Sequence, residues 1–167
     1  EVEIIESTGG KIVKITSYDV FVVNGYTKSS GKITFKYGKE YNGESYYQFP
    51  SDKPEIFYNG TKKEFSSLSL AAYNIINLLE SPADAEGNPI ARMYVTTKSY
   101  SGKVTALLGS SRKVELDEKE MLLTNDYAEF TGEGKAPFNI NDNYSRYFLD
   151  YTGQIAAIDY DPASADD

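Results

Sequence analysis

The most suggestive spacing for chemistry in this sequence lies among four amide and acid residues near its end. Asn139, Asn141 and Asn143 alternate, and Asp150 follows eleven positions after Asn139, the first-to-twelfth separation of a calcium loop. Calcium wants hard, mostly anionic oxygens and a glycine at the sixth loop position. This stretch supplies neutral amides, with Tyr144 where the glycine belongs. It therefore reads as an asparagine-rich turn, Asp150 belongs to the hairpin turn that follows, and no metal ligand is assigned.

Glycoside hydrolysis would need two carboxylates, one as acid and one as nucleophile or base. Glu44, Glu55, Asp117 and Glu118 are available but form no recognisable constellation, and among 25 acidic residues some pair comes close by chance. A serine–lysine dyad is a further route to a nucleophile, yet nothing marks one serine out. The chain has no histidine and no cysteine, which removes the usual general base, thiolates, disulfides and the commonest zinc ligands. No catalytic residue, cofactor or enzyme activity is expected.

Tyrosine is the abundant functional group: 15 tyrosines stand beside 8 phenylalanines and no tryptophan. Flat aromatic faces desolvate well against pyranose rings, and the hydroxyl can donate a hydrogen bond. Tyr37, Tyr41, Tyr46, Tyr47, Tyr58, Tyr94 and Tyr100 could form such a platform, with Tyr37, Tyr46, Tyr47, Tyr58 and Tyr94 as the candidate ligand-binding set. The favoured reading is structural, because tyrosines are ordinary cross-strand partners on a sheet with one wet face. Asn59-Gly60-Thr61 and Asn143-Tyr144-Ser145 fit the acceptor pattern for N-glycosylation, which matters if the source glycosylates.

A net charge of −8 argues against nucleic acid, which needs clustered lysine and arginine, and against docking on an anionic membrane. Asp159, Asp161, Asp166 and Asp167 concentrate charge at the end of the chain, as in a solvated tail. No apolar run approaches the ~18 residues of a membrane span. Beginning at Glu1 without methionine or a signal peptide, the sequence reads as a piece of a longer or processed polypeptide.

The elements that must position these groups announce themselves by repetition. Gly10-Lys11-Ile12-Val13-Lys14-Ile15, Gly102-Lys103-Val104-Thr105-Ala106-Leu107 and Gly153-Gln154-Ile155-Ala156-Ala157-Ile158 share a glycine, a polar residue, a β-branched residue and a later aliphatic one. Each reads as a tight glycine turn and a return strand. The run 19–26 ends in Asn24-Gly25, a strong turn signal, and Asn59-Gly60 is another. In 31–38, period two puts Ile33, Phe35 and Tyr37 on one face. Segment 66–80 could be a capped amphipathic helix or a helical turn leading to a strand at 73–79; the second is favoured because 90–97 needs a partner. Short strands are expected at 45–49, 55–58, 114–116, 120–123, 127–130, 138–140, 145–150 and 154–160, with a loop at 131–137.

This pattern predicts an all-β fold with room for one short helix, as two small antiparallel β-sandwich or partly open barrel modules in tandem. The larger module spans 1–110 with a leading hairpin over 1–15, the smaller spans 111–161, and 162–167 is an acidic tail. The stretch from Asn143 through Arg146-Tyr147-Phe148-Leu149-Asp150-Tyr151-Thr152-Gly153 to Ile155-Ala156-Ala157-Ile158-Asp159 resembles the closing hairpin of β-repeat modules in Gram-positive cell-surface proteins that accompany surface-layer homology domains. Glu55-Ile56-Phe57-Tyr58-Asn59-Gly60 is similar to their middle strand. The stretch 81–89 and the acidic loop at Asp117 depart from the pattern. The resemblance implies an extracellular or cell-wall, non-catalytic structural or interaction module, whose partners are other domains of the same polypeptide, wall components or polysaccharide. The alternative is a carbohydrate-binding module using its surface tyrosines.

Overall fold

A computed structural model describes residues 2–7, 10–15, 18–81, 90–107, 112–132 and 145–159, with side chains described at 18–80, 91–106, 112–131 and 145–159. The fold is all-β with one short helix. The strands are β1 (Val2–Ser7), β2 (Gly10–Ile15), β3 (Asp19–Thr27), β4 (Lys32–Phe35), β5 (Tyr46–Gln48), β6 (Glu55–Tyr58), β7 (Thr61–Lys63), β8 (Ile75–Ser81) and β9 (Ile90–Thr96). They continue as β10 (Ser99–Gly102), β11 (Val104–Leu107), β12 (Lys113–Leu116), β13 (Lys119–Leu122), β14 (Ser145–Leu149) and β15 (Ile155–Asp159), with a helix α1 (Asn125–Gly132) before β14. β1 and β2 form the leading hairpin. The asparagines at 139–143, the expected strand at 138–140, most of the 131–137 loop and the acidic tail lie outside the described residues. Among the described residues no helix is long and apolar enough to cross a membrane.

Seven strands build the main sheet in the order β5-β4-β3-β8-β9-β6-β7. Its pairs are antiparallel except β6 with β9, which run parallel. Period two sorts the side chains: Phe21, Val23, Ile33, Phe35, Tyr47, Ile56, Ile76, Leu78, Met93 and Val95 enter one core, closed by Phe49 and Leu68. On the other face, Val22 and Ile75 meet Phe148, Ala156 and Ala157 from a second sheet. β8 is therefore buried on both sides over 75–78, which explains why it does not alternate between apolar and polar residues there. The favoured strand reading of this segment holds: β8 pairs with β9 from Ile75↔Thr96 to Ser81↔Ile90, after a 3-10 turn at Phe65–Ser67.

The second body has two three-stranded sheets, β10-β14-β15 and β11-β12-β13. Val104, Val114, Leu116, Met121, Leu123, Tyr127, Tyr147, Ile155 and Ile158 form its core. A bulge where the register steps from Phe148↔Ala157 to Leu149↔Ile155 rephases β15. Ile155 and Ile158 consequently face this core, while Ala156 and Ala157 face the main sheet. β10 and β11 pair with β14 and β12, so the break in pairing lies between β9 and β10, whereas the sequence reading divides the chain at 110.

Four local expectations are corrected. Asn24-Gly25 is no turn: β3 runs through it with a bulge between Val23 and Gly25, and the chain reverses at 28–31 instead. Gly102 closes no hairpin. The chain passes there from one small sheet to the other, and a Cβ at Gly102 would lie 2.6 Å from Asp117 Oδ2, so close approach requires the glycine. Residues 127–130 are helical: Thr124 Oγ1 accepts from the Tyr127 amide at 3.2 Å, the Thr124 carbonyl accepts from the Ala128 amide at 3.0 Å, and Tyr127 and Phe130 pack at helical spacing on the second core. Tyr37 leaves the strand that carries Ile33 and Phe35, turns at φ 60° and packs against Tyr127 and Phe130 of the helix.

Candidate ligand pocket

One polar residue interrupts the apolar run of β8, and the site is built on it. Asn77 is buried on the face turned away from the main core, and a buried amide needs partners. Those partners come from the turn between β14 and β15. Asp150 Oδ2 accepts from Asn77 Nδ2 at 3.2 Å, and Asn77 Oδ1 accepts from the Tyr151 amide at 3.4 Å. The turn itself is organised by the same carboxylate: Asp150 Oδ1 accepts from the Thr152 amide (2.9 Å), the Thr152 hydroxyl (2.6 Å) and the Gln154 amide (2.9 Å). Gly153 supplies the left-handed conformation, φ 87°, that lets the chain reverse around it. Asp150 is 3% exposed, so these contacts replace the water that a buried carboxylate would otherwise lose.

Beside this junction lies a cavity of about 430 Å³, walled by Tyr18, Asp19 and Val20 leading into β3, by Thr124, Asn125 and Asp126 at the start of α1, and by the 150–154 turn. Asp126 pairs with Lys39 at 3.0 Å. Tyr94 stacks on Phe57 (5.1 Å, 16°) and on Tyr151 (4.9 Å, 19°). Tyr18 stands edge-on to both Tyr94 (5.6 Å) and Tyr151 (5.1 Å), beside the stack. Burial, and then the neighbouring Tyr151 and Tyr94 hydroxyls, push the Tyr18 phenol well above the ordinary tyrosine range. It remains a hydrogen-bond donor at every physiological pH.

The five tyrosines expected to bind are not gathered. Tyr47 is buried in the main core, and Tyr37 is wedged at the helix. Tyr46 carries the Lys32 ammonium over its ring at 3.8 Å, and Tyr58 carries Lys63 at 4.2 Å. Tyr58 shares the core face with Ile56, whereas Tyr94 lies across from Phe57 on the other face, so the pleat separates them. Only Tyr94 belongs to the pocket's surroundings.

The four acids weighed for hydrolysis lie in three separate places, with Asp117 and Glu118 adjacent in one turn. Glu55 pairs with Lys62 at 2.7 Å and Arg92 at 3.4 Å, and these contacts hold its carboxyl below the usual range. Asp117 Oδ1 accepts from the Lys103 amide at 3.1 Å. Glu118 occupies the neighbouring turn position, and Glu44 lies in the 41–44 turn.

Sequence reasoning missed Tyr18, Asn77 and Tyr151. The usable signal was Asn77 itself, a lone amide inside Ile75-Ile76-Asn77-Leu78-Leu79. Comparison of the sequence with protein-family models and with curated proteins finds no match.

Proposed function

We propose that this chain is a non-catalytic structural and interaction module of a larger secreted or cell-wall-associated bacterial protein, of the β-repeat kind that accompanies surface-layer homology domains. The observation that carries the reading is the junction of the two bodies. Apolar packing of Val22 and Ile75 on Phe148, Ala156 and Ala157 is joined by the buried Asn77–Asp150 contact, so the sheets meet as one stiff unit. A spacer in a wall protein needs such stiffness between its ends. The weighed acids support the same reading, since Glu55 is bound up in ion pairs and Asp117 in a turn.

Binding through Tyr37, Tyr46, Tyr47, Tyr58 and Tyr94 as one platform is not part of the proposal, because Tyr47 is buried in the core, Tyr37 packs on the helix, and Tyr58 and Tyr94 face opposite sides of the main sheet. The test is location and context. Antibodies against this chain should label intact cells of the source organism, and the parent polypeptide should carry further modules of the same kind. Recovery of the chain solely as a free cytosolic protein would overturn the reading.

A further inference from the structure

We propose that the cavity between Asn77, Tyr18 and the 150–154 turn binds an uncharged saccharide unit. This deepens the module reading, and rests on it for the view that the ligand is held rather than converted. A volume of about 430 Å³ lies within the range of small-molecule sites. The wall is polar and mixed in character: among its residues the side-chain amides of Asn125 and Gln154 can donate and accept, and the Asp19 carboxylate can accept. Sugar hydroxyls do both, so such a wall suits them.

Charge narrows the class. No lysine or arginine lines the cavity, and Lys39 is engaged by Asp126, so an anionic ligand would meet the Asp19 carboxylate with no cation in the wall to offset it. A cation is a poor fit for the opposite reason. Asp150 already accepts four hydrogen bonds and Asp126 is paired, which leaves exposed Asp19, where attraction is weak. Among the described residues no group of acids has the arrangement to hold a metal. Tyr151, 37% exposed at the rim, offers ring surface for stacking next to the hydrogen-bonding wall.

The test is a titration of the full chain, followed by amide chemical shifts, with neutral tetrasaccharides of β-1,4-linked glucose, xylose and N-acetylglucosamine. Spermidine and inorganic phosphate serve as charged probes. Saturable shifts at Tyr18, Asn77, Thr152 and Gln154 with at least one tetrasaccharide are expected. Tyr151→Ala and Gln154→Ala should each weaken that binding by roughly tenfold or more while leaving the folded spectrum intact. Tyr46→Ala, in another part of the main sheet, should leave it unchanged. No saturable shift with any tetrasaccharide, binding of spermidine or phosphate alone, or shifts centred on Tyr46 and Tyr58 would each overturn the proposal. None of these results touches the surface-module reading, which is decided by where the parent polypeptide resides.

Discussion

Asn77 and Asp150, 73 positions apart in sequence, meet side chain to side chain at 3.2 Å with both residues almost wholly buried. Asn77 belongs to the main sheet and Asp150 to the turn of the second body, so one amide–carboxylate contact ties the two together. It also orders the pocket, because the carboxylate that holds Asn77 through Oδ2 shapes the turn through Oδ1, which accepts from Thr152 and Gln154, while the Tyr151 amide donates to Asn77 Oδ1.

Removing either partner leaves the other buried without its bond. Asn77→Ala should destabilise the fold by about 2 kcal/mol, and Asp150→Ala by about 3–5 kcal/mol, since three further donors lose their acceptor. The double variant should cost clearly less than the two single costs added together. Urea unfolding measures all three, and simple additivity would show that the contact is not shared as described.

Gly102 and Asp117 are coupled in a different way. The Lys103 amide donates to Asp117 Oδ1 and the Lys103 carbonyl accepts from the Asp117 amide, both at 3.1 Å, which draws the carboxylate onto Gly102. Gly102→Ala would place its methyl 2.6 Å from Oδ2 and 3.0 Å from the Tyr100 ring. A loss of about 1–3 kcal/mol is expected. Asp117 has φ 46°, a conformation glycine adopts freely, so Asp117→Gly removes the obstacle without straining the turn. In that background the cost of Gly102→Ala should fall substantially in a denaturation cycle.

Two Asn-Gly pairs show what the sequence could reveal. At 59–60 both residues take positive φ, 48° and 83°, and join β6 to β7 as the dipeptide suggests. At 24–25 neither does, because β3 continues through the pair along β4, which takes up the extra residue as a bulge between Val23 and Gly25. Turn chemistry is a local preference, and sheet pairing overrides it. The alternation of Ile33 and Phe35, the β8–β9 pairing and the Asp117-Glu118 turn were legible since each is encoded within a few residues. Tyr127–Phe130 looked like a strand from its aromatics, although Thr124 with Asp126 behind it was a helix start in plain view. The pocket was not legible, because residues near 18, 77, 125 and 151 converge through long-range packing that no local pattern announces.

Packing at the junction leads to a third prediction. Ala156 and Ala157 are buried between the sheets, 2% and 0% exposed, against Val22, Ile75 and Phe148. Their small size sets how closely the bodies approach. Ala157→Leu inserts three carbons into that layer and should cost about 1–3 kcal/mol through strain. Saccharide-free amide spectra should move along both β3 and β15. Shifts confined to β15 would mean that the sheets are not in contact there.

Alkali offers the last test, through tyrosines whose hydroxyls the fold keeps protonated. Burial raises the Tyr47 and Tyr41 phenols, and both hydroxyls donate to Glu80, whose negative charge raises them further; burial and its two tyrosine neighbours raise Tyr18. An unfolded tyrosine ionises near pH 10. Below that pH neither state loses the proton, and the stabilisation from these groups is complete. Above it the unfolded chain releases protons that the folded chain retains, so stability must fall as pH rises past about 10. Urea midpoints should therefore be level up to that point and then drop. Phenolate absorbance should show these tyrosines titrating with unfolding rather than before it. Tyr47→Phe and Tyr18→Phe should each flatten the alkaline limb, and an unchanged limb in both would mean that other groups set it.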